Sequence, residues 1–133
     1  MERTAKHFRK RDAILTCLRQ TTVHPSAEWV YAKLKPEYSD LSLGTVYRNL
    51  ALFKEQGLIT SLGTVNGVER FDGNTDPHVH FICTGCDAVQ DLPEVQIPES
   101  LSSNVEKNAG CRVSGCQLTF TGKCNQCKQN MEE

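Results

Sequence analysis

Two CxxC pairs, Cys83/Cys86 and Cys124/Cys127, constrain this chain more than any other feature. In a reducing compartment two such pairs read as the four thiolate ligands of one structural zinc ion, which forces residues 87–123 to fold so that the pairs meet. The competing reading is a redox-active CxxC, but that chemistry needs only one pair. The chain has seven cysteines, so three stand outside the pairs. Cys17 falls on a helical apolar stripe and reads as a small core residue. Cys111 and Cys116 read as core or surface thiols, with auxiliary metal binding or thiol oxidation as the alternative.

The first pair belongs to the stretch HVHFICTGC, residues 78–86, which holds two histidines and two cysteines. Val79–Cys83 has the β-rich composition of a strand. Alternation along a strand puts His78 and His80 on one face and Val79, Phe81 and Cys83 on the other. One tetrahedral site made of all four would need a sharp twist. Thiolates select zinc, whereas imidazole with carboxylate suits iron, manganese or zinc. The stretch therefore reads as part of two sites, back to back.

The N-terminal half has its own pattern. Residues 11–20 are helical, with Ile14, Leu15, Cys17 and Leu18 inward. A break at residues 22–26 ends at Ser26, an N-cap for a helix whose stripe is Ala27, Val30, Tyr31 and Leu34. Ser42 caps a third helix, LGTVYRNLALFKEQG, stopped by Gly57. Its buried face is Leu43, Val46, Leu50 and Phe53; Gly44, Thr45, Arg48, Leu52 and Glu55 lie opposite, with Tyr47 at the border. Runs LITSLGTV and VERFD flank Asn66-Gly67, a strong hairpin signal. Three short helices followed by a hairpin make a winged helix-turn-helix, in which Thr45 and Arg48 would enter the major groove of double-stranded DNA. Net charge is only −1. The basic N-terminus (Arg3, Lys6, Arg9, Lys10, Arg11) nevertheless favours DNA over a merely solvated polar face.

Residues 73–77 read as a linker between a DNA-binding domain at 1–72 and a metal-binding domain at 78–133. The second domain holds the His/Cys strand, a strand near residues 88–92, a helix over 99–109 with Leu101 and Val105 inward, and an alternating strand over 111–121. The fold class is α+β: an N-terminal winged helix-turn-helix plus a small C-terminal α/β domain. No apolar run approaches the roughly 20 residues of a membrane span, and no apolar signal core follows the basic start. The expectation is a cytoplasmic protein without a membrane partner.

With the cysteines assigned to zinc, His78 and His80 need oxygen partners. Asp72, Asp76, Asp87 and Asp91 are near in sequence, and His24 lies in a loop of the first domain. Three histidines and two aspartates would make a site of coordination above four, joining the domains through one divalent ion. Any one of these histidines alone is more often a structural or surface residue than a ligand; the same-face pair His78 and His80 beside a carboxylate-rich segment favours ligation.

These residues resemble the ferric uptake regulator family. SLGTVYRNLALFKEQGLI is similar to that family's recognition helix, HVHFICTGCDAVQD to its metal-binding strand and knuckle, and GKCNQC to its last CxxC. The resemblance covers about Arg11 to Cys127. It implies a homodimeric, metal-dependent repressor of palindromic operator DNA, dimerised through its C-terminal domain, with Thr45, Tyr47 and Arg48 as the reading residues. It implies Cys83, Cys86, Cys124 and Cys127 as ligands of structural Zn2+, and His24, Asp72, His78, His80 and Asp91 as ligands of a regulatory Fe2+ or Mn2+. Iron-uptake members carry Glu where this chain has Asp72 and Asp91. Aspartate at both resembles the PerR-type peroxide-sensing repressors, in which iron-catalysed oxidation strikes ligand histidines, here matching His24 and His78. The alternative is an iron- or other metal-uptake regulator without peroxide sensing.

A metalloenzyme at the His/Asp cluster is the reading from another class. It lacks a nucleophile motif or positioned general base and leaves the recognition helix without a purpose. A metal-storage or zinc-ribbon module fails on the same helix. Two-fold pairing fits the repressor, since one winged helix reads only a few base pairs; residues 99–109 and 111–121 are the expected interface.

Overall fold

The structure, a computed structural model, describes residues 2–76 and 78–131, with side chains from residue 9 to residue 129 except residue 77. The side chains of Arg3 and Lys6 in the basic N-terminus, and Pro77 in the expected linker, lie outside the described residues. The chain forms two compact units, Met1–Thr75 and Asp76–Glu133.

The first unit contains α1 (Glu2–Gln20), α2 (Ala27–Leu34), α3 (Leu43–Glu55) and an antiparallel hairpin of β1 (Thr60–Val65) and β2 (Val68–Asp72). It is a winged helix. Helix α1 begins well before residue 11, where apolar periodicity first marks it. Ser26 and Ser42 cap α2 and α3 as their sequence positions predict, accepting from the amides of Trp29 and Thr45, each at 3.1 Å. Each serine satisfies an amide that has no partner within its helix. Gly57, at φ +75°, ends α3 in the left-handed conformation that glycine takes without a Cβ clash. Asn66 and Gly67 both have positive φ and turn the wing tip as a tight hairpin.

Ile14, Leu18, Val30, Val46, Leu50, Phe53, Ile59 and Phe71 form the core of this unit. Arg11 lies over the Phe53 ring at 5.6 Å and donates to the Gln56 side chain, so α1 is tied to the end of α3. Leu43 is half-buried, whereas Asn49, absent from the expected inward set, is buried. Its side-chain amide donates to the Thr45 carbonyl at 2.9 Å, which satisfies a polar group on an apolar face.

The second unit is a three-stranded sheet in the order β4 (Val89–Leu92), β3 (Val79–Cys83), β5 (Leu118–Gly122), with helices α4 (Glu99–Ala109) and α5 (Asn125–Met131). β3 pairs antiparallel to β4 and parallel to β5. Two expectations are corrected. The strand expected over 111–121 is only Leu118–Gly122, and residues 110–117 are irregular. Gly110 and Gly115 break the run, and alternation at Cys111–Gln117 has no partner strand to fix it. Leu101 and Val105, expected inward, are 39% and 45% exposed. The periodicity of α4 marks an apolar face, and no described residue of α4 is buried.

Phe53→Ala empties the centre of the winged-helix core, where Phe53 has no exposed surface. It is expected to lower unfolding free energy by about 3–5 kcal/mol, read by urea denaturation of the zinc-loaded protein. A loss under about 1 kcal/mol would mean that the site collapses around the deletion and that packing of α3 does not depend on this ring.

Candidate metal centres and nucleic-acid interface

The pleat of β3 separates two donor sets. Val79 and Cys83 have no exposed surface and face one way. His80 faces the other, directly across from Asp91 in the register of β4.

The thiol set lies wholly in the second unit. The sulfurs of Cys83, Cys86, Cys124 and Cys127 all lie within 4.8 Å of one another. Cys83 ends β3, Cys86 follows in the turn, Cys124 comes just after β5, and Cys127 lies in α5, a helix not expected from the sequence. Register explains the meeting: Cys83 pairs with Gly122, two residues before Cys124. The amides of Gly85, Cys86 and Cys124 donate to the Cys83 sulfur at 3.3, 3.4 and 3.3 Å. These amides, that of Cys124 foremost, hold the Cys83 thiol down at about 6 against burial. The neighbouring sulfurs, that of Cys83 foremost, push the Cys127 thiol up to about 12. Four sulfurs this close cannot all ionise without a cation between them, and a divalent ion with four soft ligands meets that need. A Cβ at Gly85 would lie 2.8 Å from the Cys127 sulfur, so this turn leaves no room for a side chain. Donor set and spacing both fit zinc.

The nitrogen and oxygen donors occur in each unit. In the second, the Nε2 atoms of His78 and His80 approach the same Asp91 oxygen at 3.0 and 3.2 Å, and the two rings are 4.2 Å apart. Nδ1 of His78 faces the Asp76 carbonyl at 2.5 Å. A carbonyl can only accept, so a proton on Nδ1 satisfies this contact, and in the neutral ring that leaves a lone pair on Nε2 toward the carboxylate. Lone pair and carboxylate oxygen repel unless a proton or cation lies between them. Asp91, rather than Asp76 or Asp87, is therefore the carboxylate placed with both histidines. Asp87 turns the knuckle, with φ +62° and its amide donating to the Cys83 carbonyl.

In the first unit, His24 Nε2 lies 3.4 Å from Asp72, both side chains being buried. Asp72 also accepts from the Asn74 amide at 2.9 Å. Buried imidazole beside buried carboxylate is again a donor set suited to a borderline divalent ion.

On α3, Thr45, Tyr47 and Arg48 occupy the first turns of the helix. Arg48 donates to the Thr45 hydroxyl at 3.0 Å and is exposed, as is Tyr47. The Tyr47 hydroxyl donates to Glu28, which lowers the Glu28 carboxyl and raises the Tyr47 phenol. At the other end of α3, Lys54 pairs with Glu69 of the wing at 3.2 Å; Glu69 also accepts from Ser61 at 2.6 Å. Sequence reasoning missed these three contacts, because their partners lie 8 to 19 residues apart in the chain.

A sequence model described as the ferric uptake regulator family matches residues 2–121. The peroxide operon regulator of Bacillus subtilis (strain 168) is 34% identical over 122 residues, covering 90% of this chain and 82% of that protein. Among solved structures, the Campylobacter jejuni peroxide stress regulator superposes with a TM-score of 0.81 at 28% identity, covering 95% of this chain and 94% of that one. The Vibrio cholerae ferric uptake regulator superposes with a TM-score of 0.70 at 29% identity, over 86% and 88% of the two chains.

Cys124→Ser is expected to abolish zinc binding and cooperative unfolding of residues 76–133, because four thiolates sharing a zinc ion would hold this unit together. Metal analysis and chelator-induced unfolding check it. A variant that unfolds like wild type while lacking zinc would remove the structural role.

Proposed function

The chain belongs to the ferric uptake regulator family, and on that premise we propose that it is a peroxide-responsive repressor of operator DNA. It is a metal-dependent transcriptional regulator and not an enzyme. Proteins of this family bind operator DNA as dimers.

In the proposed mechanism, His24, Asp72, His78, His80 and Asp91 hold one regulatory Fe2+ or Mn2+, while the four cysteines hold structural Zn2+. The observation that carries this reading is the approach of His78 and His80 to one oxygen of Asp91, with His78 Nδ1 held against the Asp76 carbonyl so that Nε2 is the nitrogen turned toward the carboxylate. Ligands drawn from residues 1–72 and 78–133, through a linker at 73–77, make ion binding favour one arrangement of the two domains. No described helix is long and apolar enough to cross a membrane.

The peroxide reading has two supports. Aspartate stands at both 72 and 91, and the similar Bacillus and Campylobacter proteins are peroxide regulators. Bound Fe2+ supplies the capacity to activate hydrogen peroxide. His24 and His78 are the ligand imidazoles proposed to be oxidised: one peroxide oxygen enters the ring C–H bond and the other leaves as water. The altered ring no longer offers the same donor, and the regulator leaves DNA. A second reading, a metal-uptake regulator, is favoured by the comparable likeness to the Vibrio cholerae ferric uptake regulator.

Two further features support DNA binding as a homodimer. Thr45, Tyr47 and Arg48 lie on an accessible part of α3, beside a wing braced by Lys54 and Glu69. The uncovered apolar face of α4 is the kind of surface a second copy would bury.

Anaerobic loading with Fe2+ or Mn2+, followed by stoichiometric peroxide and peptide mass spectrometry, tests the mechanism. One added oxygen on peptides holding His24 or His78 is expected in the iron sample alone, with loss of operator binding. Intact histidines with metal-switched binding would identify a metal-uptake regulator, and oxidation confined to cysteines a thiol sensor. Separately, Arg48→Ala is expected to weaken operator binding by roughly 10-fold or more, corresponding to about 1–3 kcal/mol for one base-edge contact, with metal content unchanged. Metal loss with unaltered DNA affinity would show that α3 is not the reading head.

A further inference from the structure

The wing strand β2 grips the loop carrying His24 at three successive residues. Arg70 donates from Nε to the His24 carbonyl, and from its Nη2 to the Val23 carbonyl at 2.7 Å. The Phe71 amide donates to the Pro25 carbonyl at 2.9 Å. Asp72 faces the His24 imidazole at 3.4 Å. Phe71 is itself buried in the winged-helix core, which anchors the strand end that does the gripping.

The loop requires such a hold. His24 has φ +53°, in the left-handed region that residues with a Cβ rarely adopt. Pro25 follows it and has no amide hydrogen to contribute. The carbonyls of Val23 and His24 lie outside any helix or strand, so their acceptor needs fall to side chains or solvent. A guanidinium meets this geometry because its planar fork spans two adjacent acceptors.

We propose that Arg70 is a positioning residue for the regulatory ion. Acting through the carbonyls of Val23 and His24, it holds the His24 imidazole beside the Asp72 carboxylate. Arg70 is not itself a ligand, and the role rests on the reading of His24 and Asp72 as ligands. Lysine, with one compact ammonium in place of the fork, is expected to reproduce it only in part.

The test uses the full-length, zinc-loaded protein and Mn2+ alone, with affinity measured by competition against a fluorescent chelator. Wild type, Arg70→Gln, Arg70→Lys, His24→Ala and the double variants of His24→Ala with each Arg70 change are compared, and thermal midpoints are recorded. Arg70→Gln is expected to weaken Mn2+ binding by roughly 10–100-fold, the range seen when the outer partner of a ligand is removed. Arg70→Lys should fall between it and wild type. Neither change should weaken binding further once His24 is alanine. A lowered midpoint with wild-type Mn2+ affinity would reduce Arg70 to a structural residue. An equal loss with and without His24 would mean that Arg70 acts elsewhere. If Arg70→Gln does not fold, the Arg70→Lys pair decides on the same criteria. Wild type and His24→Ala binding Mn2+ equally would remove His24 from the site, and this role of Arg70 with it. A loss in His24→Ala with none in either Arg70 variant overturns the positioning role alone.

Discussion

The period-two pleat of β3 is the constraint on which both donor sets of the second unit depend. Val79 and Cys83 face the interior and His80 the opposite side. Because β3 is the central strand, each face receives its partners from a different neighbour. β5 runs parallel and delivers the chain toward Cys124 on the thiol side, while β4 runs antiparallel and sets Asp91 against His80. A one-residue slip of β3 against either neighbour would exchange its faces and dismantle both sets. The thiol set gathered at the end of β3 therefore bears on more than its own unit's stability. Cys86 lies in the turn between β3 and β4, so closing the thiol set would also hold the β3–β4 register that brings His80 to Asp91.

The first unit places its ligands differently. There, β2 serves as a rail. Glu69 reaches Lys54 at the end of α3, Arg70 and Phe71 hold the loop of residues 23–25, and Asp72 meets His24. One five-residue strand thus carries contacts to the helix proposed to read DNA and to the loop proposed to bind the regulatory ion. Short coupled contacts of this kind are where a change in ligation has a physical route to the wing.

Much of this was legible in the sequence because local chemistry and periodicity carry it. Ser26 and Ser42 announced two helix starts, Asn66-Gly67 the wing turn, and alternation over residues 78–83 the division of histidine from cysteine. Where the sequence misled, the missing information was tertiary. Leu101 and Val105 show that periodicity identifies an apolar face without saying what covers it. Residues 111–117 alternate as a strand would, yet without a pairing partner they remain irregular. Asn49 is buried because its amide returns to Thr45, a solution invisible in a hydrophobic pattern. Arg70 reads as one more surface cation until the carbonyls of residues 23 and 24 are seen in front of it.

The two donor sets also explain how one ion can be permanent and the other a signal. Four thiolates would satisfy a zinc ion completely, and removing such an ion would leave sulfurs that must take up protons before they can coexist. Imidazole and carboxylate bind several divalent ions, with an order set largely by the metal, so occupancy follows which ion is available. An ion moves a conformational equilibrium only by as much as its affinity differs between the two states. With His24 and Asp72 in one unit and His78, His80 and Asp91 in the other, neither unit alone offers more than three of the five proposed donors. An arrangement that brought all five to one ion would be favoured by the coordination bonds that the others forgo. Splitting the ligands between units is thus what would make occupancy, and any damage to His24 or His78, into a change of domain arrangement.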